Sequence, residues 1–410
     1  MTKNILTHIW QSVFRHGAPD TDKNRSLVVT SNIFLHLHPV KVRKHGIRFW
    51  YTIGLGGTSV LLFIILVVTG ALLMLYYVPV PTEAYRSMKD ITYAVSFGEF
   101  QRNLHRWAAH GMVITVFLHA CRVFYTGAYK PPREFNWVIG VFLLLITLGL
   151  SFTGYLLPWD QLSFWAITVG TNIAGYAPFI GEKIKFLLLG GNTVGGGTLL
   201  RFYVLHCFAL PLIITAFMAV HFWRIRKDGG ISGPPTEVEK VETGLQSESH
   251  APEKTYGLMA LVEGESLMVE KQPEDTVFTW PHLVFRELLW AMFVINVLIL
   301  ISVCFSAPLE EIANPYKTPN PAKAPWYFLG LQELVHYSAF LGGILVPTLA
   351  ITALITLPYI DRNPHGEGVW FSRERKWIQI VFTVCVVALI VLTIIGVFFR
   401  GQTWSFVLPW

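Results

Sequence analysis

Seven stretches of this 410-residue chain are apolar over the length, about 20 residues, that an α-helix needs to cross the hydrocarbon core of a bilayer. They lie at roughly 50–77, 104–126, 136–157, 202–224, 283–305, 338–358 and 377–399. With 53% hydrophobic and 14% charged residues and a mean hydropathy of +0.48, the chain reads as an all-α, multi-pass membrane protein and not as a soluble domain. No cleavable leader is expected, because the first long apolar run is itself of spanning length. Upstream, ILTHIWQSVF sets Ile5, Leu6, Ile9, Trp10, Val13 and Phe14 on one face, near Lys3, Arg15 and His16. That pattern predicts a helix lying in the membrane interface; a disordered tail is the alternative.

The charges divide by loop. Lys41, Arg43, Lys44 and Arg48 precede span one; Lys130 and Arg133 follow span two; Arg224, Arg226 and Lys227 end span four; Arg362, Arg373, Arg375 and Lys376 follow span six. Positive charge concentrates on the cytoplasmic side, so these four regions and the N-terminus are expected inside. The loops 78–103, 158–201 and 306–337 and the C-terminus are then outside. The net charge of +6 is spread over membrane loops and is no nucleic-acid footprint. Cys121, Cys207, Cys304 and Cys385 stand singly, with no C-x-x-C pair for a disulfide framework, a zinc site or covalent haem. Residues 228–281 carry eleven acidic residues against three lysines and read as a flexible cytoplasmic linker. The expected units are an N-terminal segment (1–45), a four-helix unit (46–227), that linker, and a three-helix unit (282–410).

A titratable side chain inside a span is expensive and marks function by default. Span two carries His105 and His119, and span four carries His206 and His221. At about 100° per residue, separations of fourteen and fifteen return to within roughly 40° and 60° of the starting direction, so each pair shares a helix face. The two members of a pair lie about 21–22 Å apart along the axis. Both helices run from outside to inside, which puts His105 level with His206 and His119 level with His221. Two imidazoles facing each other at one depth suit a six-coordinate haem iron, and two such levels imply two haems.

Gly56 and Gly70 in span one, and Gly140 and Gly154 in span three, repeat the fourteen-residue interval. Glycine lets a broad plate or a neighbouring backbone come close, so these pairs are expected to line the two haem levels, although single glycines commonly serve helix packing. Arg102, Arg106 and Arg122 flank the levels and are candidates for pairing with haem propionates; anchoring at the span ends is the other reading. His110 lies about 140° around the helix from His105, has no counterpart in span four, and is expected to be a packing or hydrogen-bonding residue.

With the histidine and glycine pairs, TGYLLPWDQLSFW at 153–165, RFYVLH at 201–206 and APWYFLGLQEL at 324–334, the chain resembles cytochrome b of the quinol-oxidising cytochrome bc complexes. The resemblance covers about residues 35–225 and 280–400. The fifteen-residue histidine spacing, PWDQ and IRKDGGISGPP are similar to the chloroplast and Gram-positive branch, whose two halves are usually separate chains; here they are fused. That branch holds a third haem covalently through a cysteine near the start of span one, where this sequence has Gly54, so a covalent third haem is not expected.

The resemblance implies two non-covalent b haems and a bifurcated reaction. Quinol near the outer face gives one electron to a Rieske iron-sulfur partner and one to the haems, releases protons outside, and quinone is reduced near the cytoplasmic face. It also implies a bacterial cytoplasmic membrane location, a c-type cytochrome on another chain, and a homodimeric complex. The family's outer site uses Pro-Glu-Trp-Tyr, where this chain has Ala324, Pro325, Trp326 and Tyr327. The carboxylate is missing, and the changed motif is compatible with menaquinone. Quinol oxidation needs a proton acceptor; Glu333 and His336 are the nearest titratable candidates, and Tyr327 and Tyr155 are candidate hydrogen-bonding groups. Arg224, Arg226, Lys227, Arg286 and Glu287 are candidates at the inner site, or simple anchors. Two other readings stand beside this one. A dihaem anchor of a quinone-linked dehydrogenase would not need the PWY loop or the second half, and a cofactor-free transporter leaves the four histidines unexplained.

Overall fold

A computed structural model describes residues 5–13, 19–234, 275–363, 365–400 and 405–406. Among them, seven helices are long and apolar enough to span a bilayer. In chain order the elements are α1 (Ile5–Val13), α2 (Asp22–Ser31), β1 (Lys41–Arg43), α3 (Leu55–Met74), α4 (Pro81–Tyr93), α5 (Gly98–Tyr125) and α6 (Glu134–Tyr155). There follow α7 (Gln161–Gly175), α8 (Gly181–Leu189), α9 (Gly196–Lys227), β2 (Thr276–Phe278), α10 (Thr279–Cys304), α11 (Trp326–Tyr337), α12 (Leu341–Ile360) and α13 (Arg373–Phe398). The spans are α3, α5, α6, α9, α10, α12 and α13, so the all-α, seven-span architecture is as expected.

The differences are at the ends. Spans two and four begin about six residues earlier than hydropathy indicates, at Gly98 and Gly196, because a helix can continue into the aqueous layer once its first turn is satisfied. Glu99 supplies a favourable charge at the α5 N-terminus. The loops 78–103, 158–201 and 306–337 also contain helices. Pro81 opens α4 with Glu83 in its first turn, and the Asp160 carboxylate caps α7 by accepting the Ser163 N–H at 2.9 Å. In α1, Ile5, Ile9 and Val13 stand exposed on a four-residue interval, the stripe expected of an interfacial helix; Phe14, Arg15 and His16 lie outside the described residues.

The ends of the segment read as linker are structured. β2 pairs antiparallel with β1, setting Val42 opposite Val277, and buried Ser232 hydrogen-bonds the Tyr51 hydroxyl at 3.2 Å. Residues 235–274 lie outside the described residues.

The interior is layered. Near one end Ile91, Leu156, Trp159, Phe164, Leu199 and Phe202 cluster; in the middle Leu62, Ala108, Met112, Ile214 and Leu298; at the other end Phe124, Tyr129, Trp137 and Val141. Many large apolar side chains on the span surfaces, such as Ile64, Leu212, Leu300 and Val384, are exposed, as lipid-facing helices require.

Both ends fasten the three-helix unit to the four-helix unit. At one end the four basic regions meet: Arg133 pairs with Glu367 and donates to the Asp228 carbonyl, Arg122 donates to the Tyr51 carbonyl, and Lys130 reaches the Asn363 and His365 carbonyls. Burial lowers the Lys130 pKa, and these two carbonyls satisfy its ammonium. At the same end Arg375, buried, donates to the Tyr129 hydroxyl at 2.7 Å and to Asp361, while Tyr129 also donates to Asp361. At the opposite end the PWDQ residues hold the 306–320 loop. Asp160 accepts from the Glu310 N–H at 3.1 Å; Gln161 accepts from the Asn314 N–H at 2.7 Å and donates to the Lys317 carbonyl. Asn103 clamps both sides of the α10 exit, donating to the Ser302 carbonyl and accepting from the Ala307 N–H.

Candidate functional site

Pro211 cannot donate a backbone hydrogen bond, so the ladder of α9 loses a rung just after His206. The helix answers with a π turn over Leu205–Ala209, in which the Leu210 N–H reaches back to the Leu205 carbonyl. A π turn accommodates one extra residue. That resolves the unequal spacings: the fifteen-residue interval of His206 and His221 presents one face much as the fourteen-residue interval of His105 and His119 does. Pro211 is the sequence signal that identifies it.

The structure brings the four histidines together as the pairs expected. Ring centroids of His105 and His206 are 6.2 Å apart with planes at 76°; those of His119 and His221 are 6.5 Å apart at 78°. A metal bound at about 2.0–2.1 Å to one nitrogen of each ring puts the centroids roughly 6.3 Å apart, so both pairs fit an iron between two axial imidazoles. The outer pair is also oriented for it. His105 Nδ1 is 2.8 Å from Thr69 Oγ1, and His206 Nδ1 is 3.0 Å from the Leu150 carbonyl and 3.3 Å from Thr153 Oγ1. Fixing Nδ1 leaves Nε2 for the ligand position, the arrangement common in metal-ligating histidines. At the other level His221 Nδ1 is buried with no hydrogen-bond partner among the described residues.

Each glycine shoulders one histidine. A Cβ at Gly70 would stand 3.2 Å from His105 Cε1, one at Gly56 3.3 Å from His119 Cε1, and one at Gly140 3.9 Å from His221 Cε1. At Gly154 it would come within 2.9 Å of both ring nitrogens of His206. The contact is with the axial imidazole, where the sequence points to a bare wall beside the plate; the absent side chain lets the ring stand upright against the neighbouring helix.

The three arginines differ. Arg102 is committed to the Ala307 and Pro308 carbonyls, so its propionate reading gives way to holding the 306–320 loop. Among the described residues Arg106 Nε and Arg122 Nη2 are buried without partners, and a buried, unpaired guanidinium N–H fits a carboxylate such as a propionate. Arg122 also lies over the Tyr51 ring at 4.3 Å.

Trp326 and Tyr327, at the start of α11, meet α5. The Trp326 indole donates to His110 Nδ1 at 2.8 Å, and the Tyr327 ring lies 5.8 Å from the imidazole. Tyr155 is an electrostatic neighbour of Arg106 and Tyr327. His110, which the sequence sets aside, therefore belongs to the Trp-Tyr cluster; its only sequence signal is a polar residue facing away from the haem pair. Glu333 is buried, with both carboxylate oxygens on Arg400 at 2.6–2.9 Å. The proton-acceptor reading of Glu333 does not fit this arrangement, since protonation would disrupt a charged two-point contact made by a buried carboxylate. His336 is exposed.

At the basic end a Cβ on Gly54 would meet Trp290 Nε1 at 2.7 Å, and that indole is fixed by donating to Thr58 Oγ1 at 2.8 Å. A cysteine there has no room beside it for a bound macrocycle. The inner candidates are engaged: Arg224 with Asp228 and the Pro132 carbonyl, Arg226 with the His36 carbonyl, Arg286 with the Ile47 carbonyl. Lys227 lies over the Trp223 ring at 4.9 Å. Glu287 pairs with His38 at 3.3 Å, and that hydrogen bond raises the His38 pKa.

Two family models match. One, described as cytochrome b/b6/petB, covers residues 40–229, and the other, cytochrome b (C-terminal)/b6/petD, covers residues 312–408. Over 197 residues the chain is 48% identical to cytochrome b6 of Heliobacterium mobile, spanning 48% of this chain and 90% of that protein. Over 180 residues it is 48% identical to cytochrome b6 of Euglena gracilis, spanning 44% and 83%. A chain of a solved hyperthermophilic respiratory Complex III is similar over 92% of this chain and 90% of its own, with a TM-score of 0.72 and 27% identity.

Proposed function

From the premise that this chain belongs to the cytochrome b/b6 family, we propose that it is the dihaem, quinol-oxidising subunit of a cytochrome bc-type complex with its two halves fused. It is a multi-pass membrane oxidoreductase subunit of a bc/b6f-type complex. The observation that carries the reading is the pair of two-histidine levels, with ring separations of 6.2 and 6.5 Å about 21 Å apart in depth.

His105 and His206 would hold the outer haem iron, and His119 and His221 the inner. Bound there, the haems would supply one-electron carriers at two depths for one of the two quinol electrons, and a Rieske iron-sulfur partner would be the acceptor of the other. The protein's own residues do the rest. Thr69 and the Leu150 carbonyl orient the His105 and His206 rings, Gly56, Gly70, Gly140 and Gly154 give the four imidazoles room, and Arg106 and Arg122 would pair with haem propionates. Leu62, Met112 and Ile214 exclude water between the levels. Trp326, Tyr327 and Tyr155 shape the outer quinol site, whose protons leave on the outer side; the basic end faces the cytoplasm of a bacterial inner membrane. The fused chain divides at residues 228–281 into haem-binding and quinol-site units. A c-type cytochrome on another chain and a second copy of the complex complete the assembly.

The complex isolated from native membranes in mild detergent should contain a Rieske-type chain and should reduce an added c-type cytochrome with a short-chain quinol as donor. Co-purification with a soluble dehydrogenase and no Rieske chain would move the reading to a dihaem anchor.

A further inference from the structure

We infer that His110 is a quinol-binding residue, its Nε2–H donating a hydrogen bond to an oxygen of the quinol or quinone at the outer site. The inference deepens the proposed function and rests on that reading.

Three observations carry it. The first is the tautomer. The indole N–H of Trp326 can only donate, and it lies 2.8 Å from His110 Nδ1, so Nδ1 carries a lone pair and the proton of the neutral ring sits on Nε2. Among the described residues that Nε2 has no hydrogen-bond partner, while the ring is only partly exposed. A half-buried donor with its opposite nitrogen locked is a preset polar contact awaiting an acceptor.

The second is the surroundings. The imidazole has Trp107 at 5.4 Å, Trp326 at 6.3 Å in near-parallel stacking, and Tyr327 at 5.8 Å edge-on. Trp107 is fixed by donating to the Phe305 carbonyl at 2.8 Å, so α5, α10 and α11 all contribute to one aromatic niche. Flat aromatic walls with a single aimed polar group suit a planar ring that carries an oxygen. The third is position. His110 lies five residues from His105 and nine from His119, about 7.5 Å along α5 from the first, so the niche stands between the two histidine levels and nearer the one at which a quinol would surrender an electron.

The same geometry gives His110 a binding role. Protonation of Nδ1 would set two N–H groups against each other, so the indole keeps the ring in its donor form. Pro325 stands where the resembling motif has glutamate, and Glu333 is committed to Arg400. His110 thus supplies a polar contact that the α11 motif itself lacks.

Two substitutions in the intact complex separate the contact from packing. Asn at 110 can keep an acceptor at the Nδ1 position for Trp326 but has no group at Nε2, whereas Gln can place an amide N–H near Nε2. With a short-chain naphthoquinol and a short-chain benzoquinol as probes, His110→Asn should raise KM about three- to ten-fold, the effect of one lost hydrogen bond. His110→Gln should stay close to the unsubstituted value, and both should retain full haem content. An unchanged KM in His110→Asn, or equal rises in the two variants, would overturn the inference. If the unsubstituted complex oxidises neither quinol, the functional reading itself fails.

Discussion

Replacing His206 with leucine should remove the outer haem and leave the inner one, halving the b-type absorbance and bringing quinol oxidation to background. His206 is one of two nitrogens at its level, with the partner ring centroid 6.2 Å away, whereas the inner pair lies roughly four helical turns deeper on the same two helices. The inner haem serves as the internal control: its retention shows that the bundle has folded. Gly154→Val should give the same spectrum by a different route, because even a Cβ there would come within 2.9 Å of both His206 ring nitrogens. Full retention of both haems in His206→Leu would refute the pairing.

The second large effect is on stability. Arg375 has no exposed side-chain surface and contacts both Asp361 and Tyr129, which also contact each other. Removing one partner of a buried ion pair leaves an uncompensated charge, at a typical cost of about 3–5 kcal/mol. Arg375→Met should therefore lower the thermal midpoint of the detergent-solubilised complex sharply. Adding Asp361→Asn should recover most of the loss, since the stranded carboxylate is then gone. A double variant no more stable than the single would show that Arg375 acts mainly through its stacking on Phe124 and Tyr129.

The span count, the pairing of His105 with His206 and of His119 with His221, and the four glycines were legible because each depends on local periodicity, which a sequence displays directly. What escaped depends on long-range partners. Nothing near Arg102 announces that the Ala307 and Pro308 carbonyls will occupy it, and nothing near Glu333 announces Arg400, sixty-seven residues on. The role of PWDQ is clear only once Asp160 and Gln161 are seen gripping the loop of the second half. His110 is a hydrogen-bonding residue as expected, but its partner is illegible for the same reason. Pointing away from the haem pair is a helix-wheel fact, and what it points toward is set by the distant residue Trp326. The π turn at His206 is the exception, since Pro211 marks it in the sequence.

The most direct measurement is the haem content of the isolated chain before and after acidic organic extraction, with haem b determined against protein by amino-acid analysis. Two haems per chain, both extracted, are expected from the two bis-histidine levels and from the indole packed over Gly54. One haem or none per chain would contradict the dihaem reading on which the proposed quinol chemistry stands, and a haem that stays with the polypeptide after extraction would contradict the closed site at Gly54.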